Sequence, residues 1–289
     1  MTTETSGYWR AAHGRGIALA EKGRLMAIVN VTPDSFSDGG QHFSVDKAVE
    51  HALSCLAEGA DILDIGGEST RPGALPISAG EEQDRVLPVI ERLARETDAL
   101  MSIDTYRAET ARAAIAAGAH IVNDVYGLQR EPEIAEIAAK TDAGLCVMHT
   151  GRERDRLADV VADQFDYLGR SLAIATEAHV AREAIMLDPG FGFAKETVGE
   201  NMALMARFDE LLALGYPLLV GTSRKRFLGT LTGKAASERD AATAATTVLL
   251  RMKGASVFRV HNVAINRDAL AIADAMMAAE REAGKGQPR

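Results

Sequence analysis

A chain of 289 residues with 47% hydrophobic and 25% charged residues is long enough to bury a barrel-sized core and too apolar to stay disordered. Its net charge of −9 and pI near 5.4 speak against a broad surface for nucleic acid or an anionic membrane, so any anion site must be local and concave. Cys55 and Cys146 form no CxxC pair and have no metal-ligand spacing to His, and read as reduced packing residues of a cytoplasmic protein.

Residues 1–23 hold only a short apolar stretch at 16–20, too brief for a signal-peptide core, and no run approaches a membrane span. This first segment is expected to cover the bottom of the fold, and residues 284–289 to form a disordered tail. The segment 25–29 (LMAIV) has the length and residues of a buried strand and runs at Asn30 into a loop bearing Thr32, Asp34, Ser35, Ser37 and Asp38. Oxygen-rich loops at strand ends suit a hard cation or a phosphate-bearing ligand. A helix over 44–58 follows, capped by Ser44 and stopped by Gly59, with Val45, Ala48, Val49, Ala52, Leu53 and Leu56 on one face. The same alternation recurs, with strands over 61–65, 100–104, 120–124, 145–149, 185–188, 217–221 and 256–261. Helices fall over 80–96, 107–117, 131–141, 157–181, 198–214, 237–253 and 264–282. Strands that are apolar on both faces and separated by helices pair in parallel with right-handed crossovers. Eight such units in about 250 residues predict one α/β domain, a (β/α)8 TIM barrel spanning 24–283.

Barrels of this kind carry their chemistry at the C-terminal strand ends. Those ends hold Asn30; Asp64 with Glu68, Ser69, Thr70 and Arg71; Asp104; Asn123 and Asp124; Met148 and His149; Asp188; Ser223, Arg224 and Lys225; and Arg259 with His261. One such residue has a plain explanation, as when Asp104 caps the next helix, but polar residues at the end of every strand do not. Asp104, Asn123 and Asp188 offer acceptors to a flat heterocycle bearing N–H donors, and Lys225 offers a donor to its carbonyl or ring nitrogen. Arg259 and His261, two apart on the last strand, point the same way and form a basic pole for an anionic leaving group, with Asn30 and Thr70 beside it. The sequence contains no GxxxxGK[ST], HExxH or GxSxG and no strand-borne GxGxxG, so nucleotide hydrolysis, zinc proteolysis and serine-hydrolase chemistry lack their usual parts.

The segments MAIVNVTPDSFSDGG at 26–40, GGESTRPGA at 66–74, SIDTYRAE at 102–109, VNDVYGL at 122–128, LDPGFGFAK at 187–195, VGTSRKRFLG at 220–229 and FRVHNV at 258–263 together resemble the dihydropteroate synthase family of pterin-binding enzymes. The resemblance runs in order from 24 to 276. It implies a (β/α)8 barrel that joins 6-hydroxymethyl-7,8-dihydropterin diphosphate to 4-aminobenzoate with Mg²⁺, a sulfonamide target, and a homodimer. Carried over by position, it puts the pterin against Asp104, Asn123, Asp188 and Lys225, with Met148 and Arg259 near its faces. It gives Asn30 to Mg²⁺ and the diphosphate, and Thr70, Arg71, Arg259 and His261 to the diphosphate. Pro72, Phe193 and Ser223 go to the aminobenzoate pocket, and Asp104, Asp188, Lys225, Arg259 and His261 act in the reaction. Ala27 and Ala194 stand where that family more often has glycine, Arg226 where a small residue is usual, and Asn262 where aspartate is frequent. Three other readings stay open: a methyltetrahydrofolate-dependent methyltransferase, a pterin-binding relative without turnover, and an aldolase-like barrel with Lys225 as a Schiff-base lysine.

Overall fold

Alternate residues along a strand face opposite sides of the sheet, and in this chain the two sets have different partners. The computed structural model describes residues 7–32, 41–69 and 75–285. After a hairpin of β1 (Tyr8–Ala11) and β2 (Arg15–Ala18) come β3 (Arg24–Asn30), α1 (Gln41–Glu58), β4 (Ile62–Gly66), α2 (Ala79–Glu96), β5 (Leu100–Asp104), α3 (Ala108–Ala116), β6 (Ile121–Asp124) and α4 (Glu133–Thr141). The chain continues through β7 (Gly144–Met148), α5 (Val160–Glu177), β8 (Ile185–Asp188), α6 (Val198–Ala206), β9 (Leu219–Val220), α7 (Arg226–Thr232), α8 (Asp240–Met252), β10 (Val257–Val260) and α9 (Val263–Lys285).

Strands β3 to β10 pair in parallel in the order β8-β7-β6-β5-β4-β3-β10-β9. A lone bridge between Leu187 and Leu218, with the Leu187 N–H on Pro217 O at 3.0 Å, closes the ring between β8 and β9. The fold is the expected (β/α)8 barrel. One parity of strand residues, including Leu25, Ala27, Val29, Leu63, Ile65 and Val122, packs with the helices in the main core. The other parity, including Met26, Ile62, Leu100, Ile121, Cys146 and Met186, fills the lower lumen together with Trp9, Ala11 and Leu19 of the hairpin region. The hairpin therefore packs against the N-terminal strand ends, and the opposite end of the lumen is left to polar residues.

Trp9 is the hairpin's anchor, 1% exposed with Nε1–H on Ala184 O at 2.8 Å. Trp9→Ala is expected to cost about 3–5 kcal/mol of stability, read from urea denaturation, because the indole fills the lower lumen. A loss below 1 kcal/mol would show that the hairpin merely rests on the barrel.

Element ends differ from the sequence reading for local reasons. Helix α1 begins at Gln41, so Ser44 lies in its first turn and is not the cap. Asp159 accepts from Val161 N and Ala162 N, so α5 starts at Val160 rather than 157, and it ends at Glu177. The expected 198–214 helix breaks at Arg207 into a 3₁₀ segment, Phe208–Leu214. Helix α7 has no counterpart in the expected set, because seven residues that include Gly229 leave too little periodicity to read. Helix α9 runs on to Lys285, so 284–285 belong to it, and 286–289 lie outside the described residues.

Candidate active site

The upper lumen is built by the inward parity of the same strands. Two residues above Ile62 stands Asp64; Asp104, Asn123, Met148, Asp188 and Arg259 hold inward positions on β5, β6, β7, β8 and β10. Inward glycines leave room between them. A Cβ on Gly66 would touch Asp104 Cβ at 3.4 Å, and one on Gly221 would lie 3.8 Å from Asp188 Oδ2 and 4.0 Å from Arg259 Cβ.

Arg259 ties the cluster together. Its Nε donates to Asp64 Oδ2 at 2.6 Å and its Nη2 to Asp104 Oδ2 at 2.6 Å, while Asn123 Nδ2 reaches the same Asp64 oxygen at 3.2 Å. In this geometry the expected acceptor residues and the cationic Arg259 meet directly. Arg259 sits among the acceptors because two buried carboxylates on neighbouring strands require a cation between them. His261, one residue beyond β10, instead has Nδ1 2.9 Å from Ser223 Oγ and its backbone N–H on that hydroxyl at 3.1 Å.

Burial sets the protonation of the cluster. It pushes the Asp104 carboxyl up to about 7, against Arg259 and with help from Asp64. It pushes Asp188 up to about 6, opposed by the Gly190 N–H at 2.7 Å and by Lys225 and Arg259. It also pulls Lys225 down to about 8, with Arg259 acting in the same direction and Asp188 against it.

A second wall of the mouth is aromatic. Tyr106, Val125, Met148 and Phe193 pack as one cluster, with Lys225 Nζ 4.0 Å and Arg152 Cζ 4.7 Å from the Phe193 ring centre. Lys225 approaches because Gly192, at φ +77°, has no Cβ; one there would lie 3.1 Å from Lys225 Cδ. Between Ser223 and Lys225, Arg224 adopts φ +56° and is held by Asp240 at 2.7 and 2.8 Å, which Asn262 Nδ2 also contacts at 3.0 Å. Ala194 has φ +52°, a left-handed conformation that glycine adopts at no steric cost, and Arg156 donates to its carbonyl.

Asn30 ends β3, half-buried at the rim. Thr70, Arg71 and Pro72, and most of the loop after Asn30, lie outside the described residues. Sequence reading gave no role to Asp64, although one aspartate inside the apolar run ILDIG on the lumen parity was a usable signal. Arg152 carried none: nothing in the loop 150–159 says which of its arginines turns toward Phe193.

The pattern that defines the family described as Pterin binding enzyme matches residues 26–261. The chain belongs to the pterin binding enzyme family. Among relatives within the family, the dihydropteroate synthase of Streptococcus pyogenes serotype M3 is 46% identical over 255 residues, 88% of this chain and 95% of its own. The Xanthomonas albilineans dihydropteroate synthase with 4-aminobenzoic acid superposes with a TM-score of 0.88 at 43% identity, covering 94% of this chain and 99% of that one. The same enzyme in complex with 7,8-dihydropteroate gives 0.84 at 41% identity, covering 93% and 99%. The Yersinia pestis enzyme in a sulfonamide complex gives 0.85 at 40% identity, covering 93% and 98%.

Proposed function

We infer that the chain is a dihydropteroate synthase, joining 6-hydroxymethyl-7,8-dihydropterin diphosphate to 4-aminobenzoate and releasing pyrophosphate and 7,8-dihydropteroate in folate biosynthesis. Beyond family membership, the observation that carries the reading is the hydrogen-bonded set Asn123–Asp64–Arg259–Asp104 across the barrel mouth, with Asp188 and Lys225 in electrostatic reach. Such a set suits a flat ring that presents several N–H donors and a carbonyl.

In this reading Asp104, Asn123 and Asp188 take the edge of the pterin, Lys225 its carbonyl or ring nitrogen, and Met148 and Arg259 lie near its faces. The C–O bond between the pterin methylene and the diphosphate breaks, and the lone pair of the aryl amine forms the new C–N bond. The amine then gives one proton to solvent. Buried carboxylates around the ring favour the positive charge that develops as the C–O bond lengthens, and a neutral aryl amine needs no base to attack. Phe193 and Ser223, with Pro72, form the arene pocket, and Lys225 and Arg152 give it the positive potential that a benzoate requires. His261, Thr70 and Arg71 serve the diphosphate. A sulfonamide would compete for the arene pocket.

Mg²⁺ fits the donors present in one way. Asn30 supplies a single amide oxygen at a strand end, and the described residues include no group of three or more His, Cys, Asp or Glu that could cage a metal. In this reading the cation is carried mainly by diphosphate and water. Bound there, it would neutralise charge on the departing diphosphate; turnover unaffected by EDTA would refute its role.

Leu249 and Met252 of α8 and Ile272 and Met276 of the adjoining α9 are exposed, and we assign this apolar face to a homodimer. Sedimentation at the mass of a single chain would overturn it. No described helix is long and apolar enough to cross a membrane, and both cysteines are free and buried, which suits a reducing cytoplasm. Appearance of the protein in a membrane or secreted fraction would count against that placement. The central test is chromatography of the purified chain with pterin diphosphate, 4-aminobenzoate and Mg²⁺. Dihydropteroate should form; pterin binding without product would return the chain to the class of non-catalytic relatives.

A further inference from the structure

Behind the mouth, between β7, β8 and α5, lies a buried polar layer that the reaction does not use. Lys195 is 3% exposed, yet its Nζ donates to Gly190 O at 2.9 Å and lies 2.9 Å from His149 Nδ1. An ammonium can only donate, so Nδ1 accepts from it, while Nε2 lies 2.9 Å from both Asp163 Oδ2 and Arg154 Nη2. Arg154 donates to both Asp163 oxygens, to Oδ1 at 2.9 Å and to Oδ2 at 2.6 Å, and Leu157 N–H donates to Oδ1 at 2.8 Å. Neighbouring side chains bind the rest of the turn. Gln164 Nε2 donates to Pro189 O at 3.1 Å, and Asn201 takes Gly192 N–H at 2.9 Å while donating to Lys195 O at 2.8 Å.

The turn being held is the one that carries Asp188. Gly190 has φ +63°, and a Cβ there would lie 2.0 Å from His149 O, so only glycine fits. Its N–H donates to Asp188 Oδ1 at 2.7 Å, and its carbonyl accepts from Lys195. One residue thus carries a substrate-facing carboxylate on its N–H and a buried ammonium on its C=O.

We propose that Lys195 is a positioning residue for Asp188: its ammonium, braced by His149 and Asp163, fixes Gly190 so that the Gly190 N–H holds the carboxylate aimed into the mouth. The proposal rests on Asp188 as a pterin-contact residue. Electrostatics agree with it. Burial lowers His149 to about 4, which keeps the ring neutral and able to accept. Burial lowers Lys195 to about 7, against Asp188 and Asp163 and with Arg154 and Arg156, while Lys195 itself helps Lys225 and Arg259 favour the Asp188 anion.

The test is binding of the pterin alcohol 6-hydroxymethyl-7,8-dihydropterin to the full chain, titrated from acid to neutral pH. In the wild type affinity falls on acidification as the carboxylates take up protons. Lys195→Met is expected to weaken binding about tenfold at neutral pH and to move the Asp188 limb up by about one pH unit, because the anion loses both its aim and a nearby charge. His149→Gln, which keeps the ammonium but removes its imidazole brace, should give a smaller shift in the same direction and serves if the lysine variant fails to fold. In an Asp188→Ala background, which leaves the Gly190 N–H no side chain to hold, Lys195→Met should weaken binding no further. Affinity and midpoint unchanged in both variants, or losses that simply add in the double variant, would overturn the proposal and leave Lys195 a stability residue. If the wild type binds no pterin, the reading of the site fails first and this one with it, and the two failures are told apart by that control.

Discussion

Arg259→Ala is expected to lower melting by roughly 10 °C and to reduce turnover by about a hundredfold or more. The guanidinium stands between Asp64, which is 0% exposed, and Asp104, so its removal leaves two buried carboxylates facing each other across the lumen. Breaking a buried pair from one side costs about 3–5 kcal/mol, and a domain of this size loses about 2–4 °C per kcal/mol. The sign with pH is fixed. Asp104, already at about 7 with Arg259 present, goes higher without it, above its value in the unfolded chain. The folded variant therefore binds extra protons, and its stability declines as pH rises from about 4 through that raised value. Melting at pH 5 and pH 8 should show the larger deficit at pH 8, and pterin affinity should fall together with diphosphate affinity. An equal deficit at both pH values, with pterin binding intact, would mean that Arg259 is not the counter-ion of this cluster.

Asp188→Asn should separate binding from stability. Pterin affinity is expected to drop by about 1–3 kcal/mol, roughly ten- to a hundredfold, because a buried ring donor loses an anionic acceptor. The fold should become more stable above pH 6. The carboxyl titrates at about 6 in the folded chain against an ordinary 3.8, so its charged form is disfavoured by folding. That penalty grows as pH rises from about 4 to 6 and stays constant beyond. The amide removes it and keeps the acceptor for the Gly190 N–H. Melting should rise at pH 8 and not at pH 4; a fall at pH 8 would show that Lys225 and Arg259 depend on the Asp188 charge for their own stability.

The barrel was readable because each strand was an apolar run and each helix had one apolar face, patterns that survive without tertiary information. Pairing order and the rim positions of Asp104, Asn123, Asp188 and Arg259 followed from them. What Arg259 does was not readable in the same way. Counting two residues from Arg259 to His261 gives a direction, not a partner, and the partner on β4 is 195 residues away. The Lys195–His149–Asp163 layer was hidden for a related reason: His149 and Lys195 belong to strand-end segments and read as part of them, while Asp163, in the first turn of α5, reads as an ordinary helix-end carboxylate. Helix α7 was missed because a short helix is made by what flanks it. Arg239 donates to Arg224 O at 3.0 Å, and its guanidinium lies where a Cβ on Gly229 would be.

The ring of strands is held unevenly. Most neighbouring strands share several paired residues, but β8 and β9 meet at one bridge, and Asp188 follows the residue that makes it. A pterin that grips Asp188 on one side of this seam and Lys225, five residues past β9, on the other would staple the barrel shut at its loosest joint. Occupancy should therefore slow amide hydrogen exchange first at 185–188 and 218–220, coupling possession of substrate to the integrity of the whole hoop.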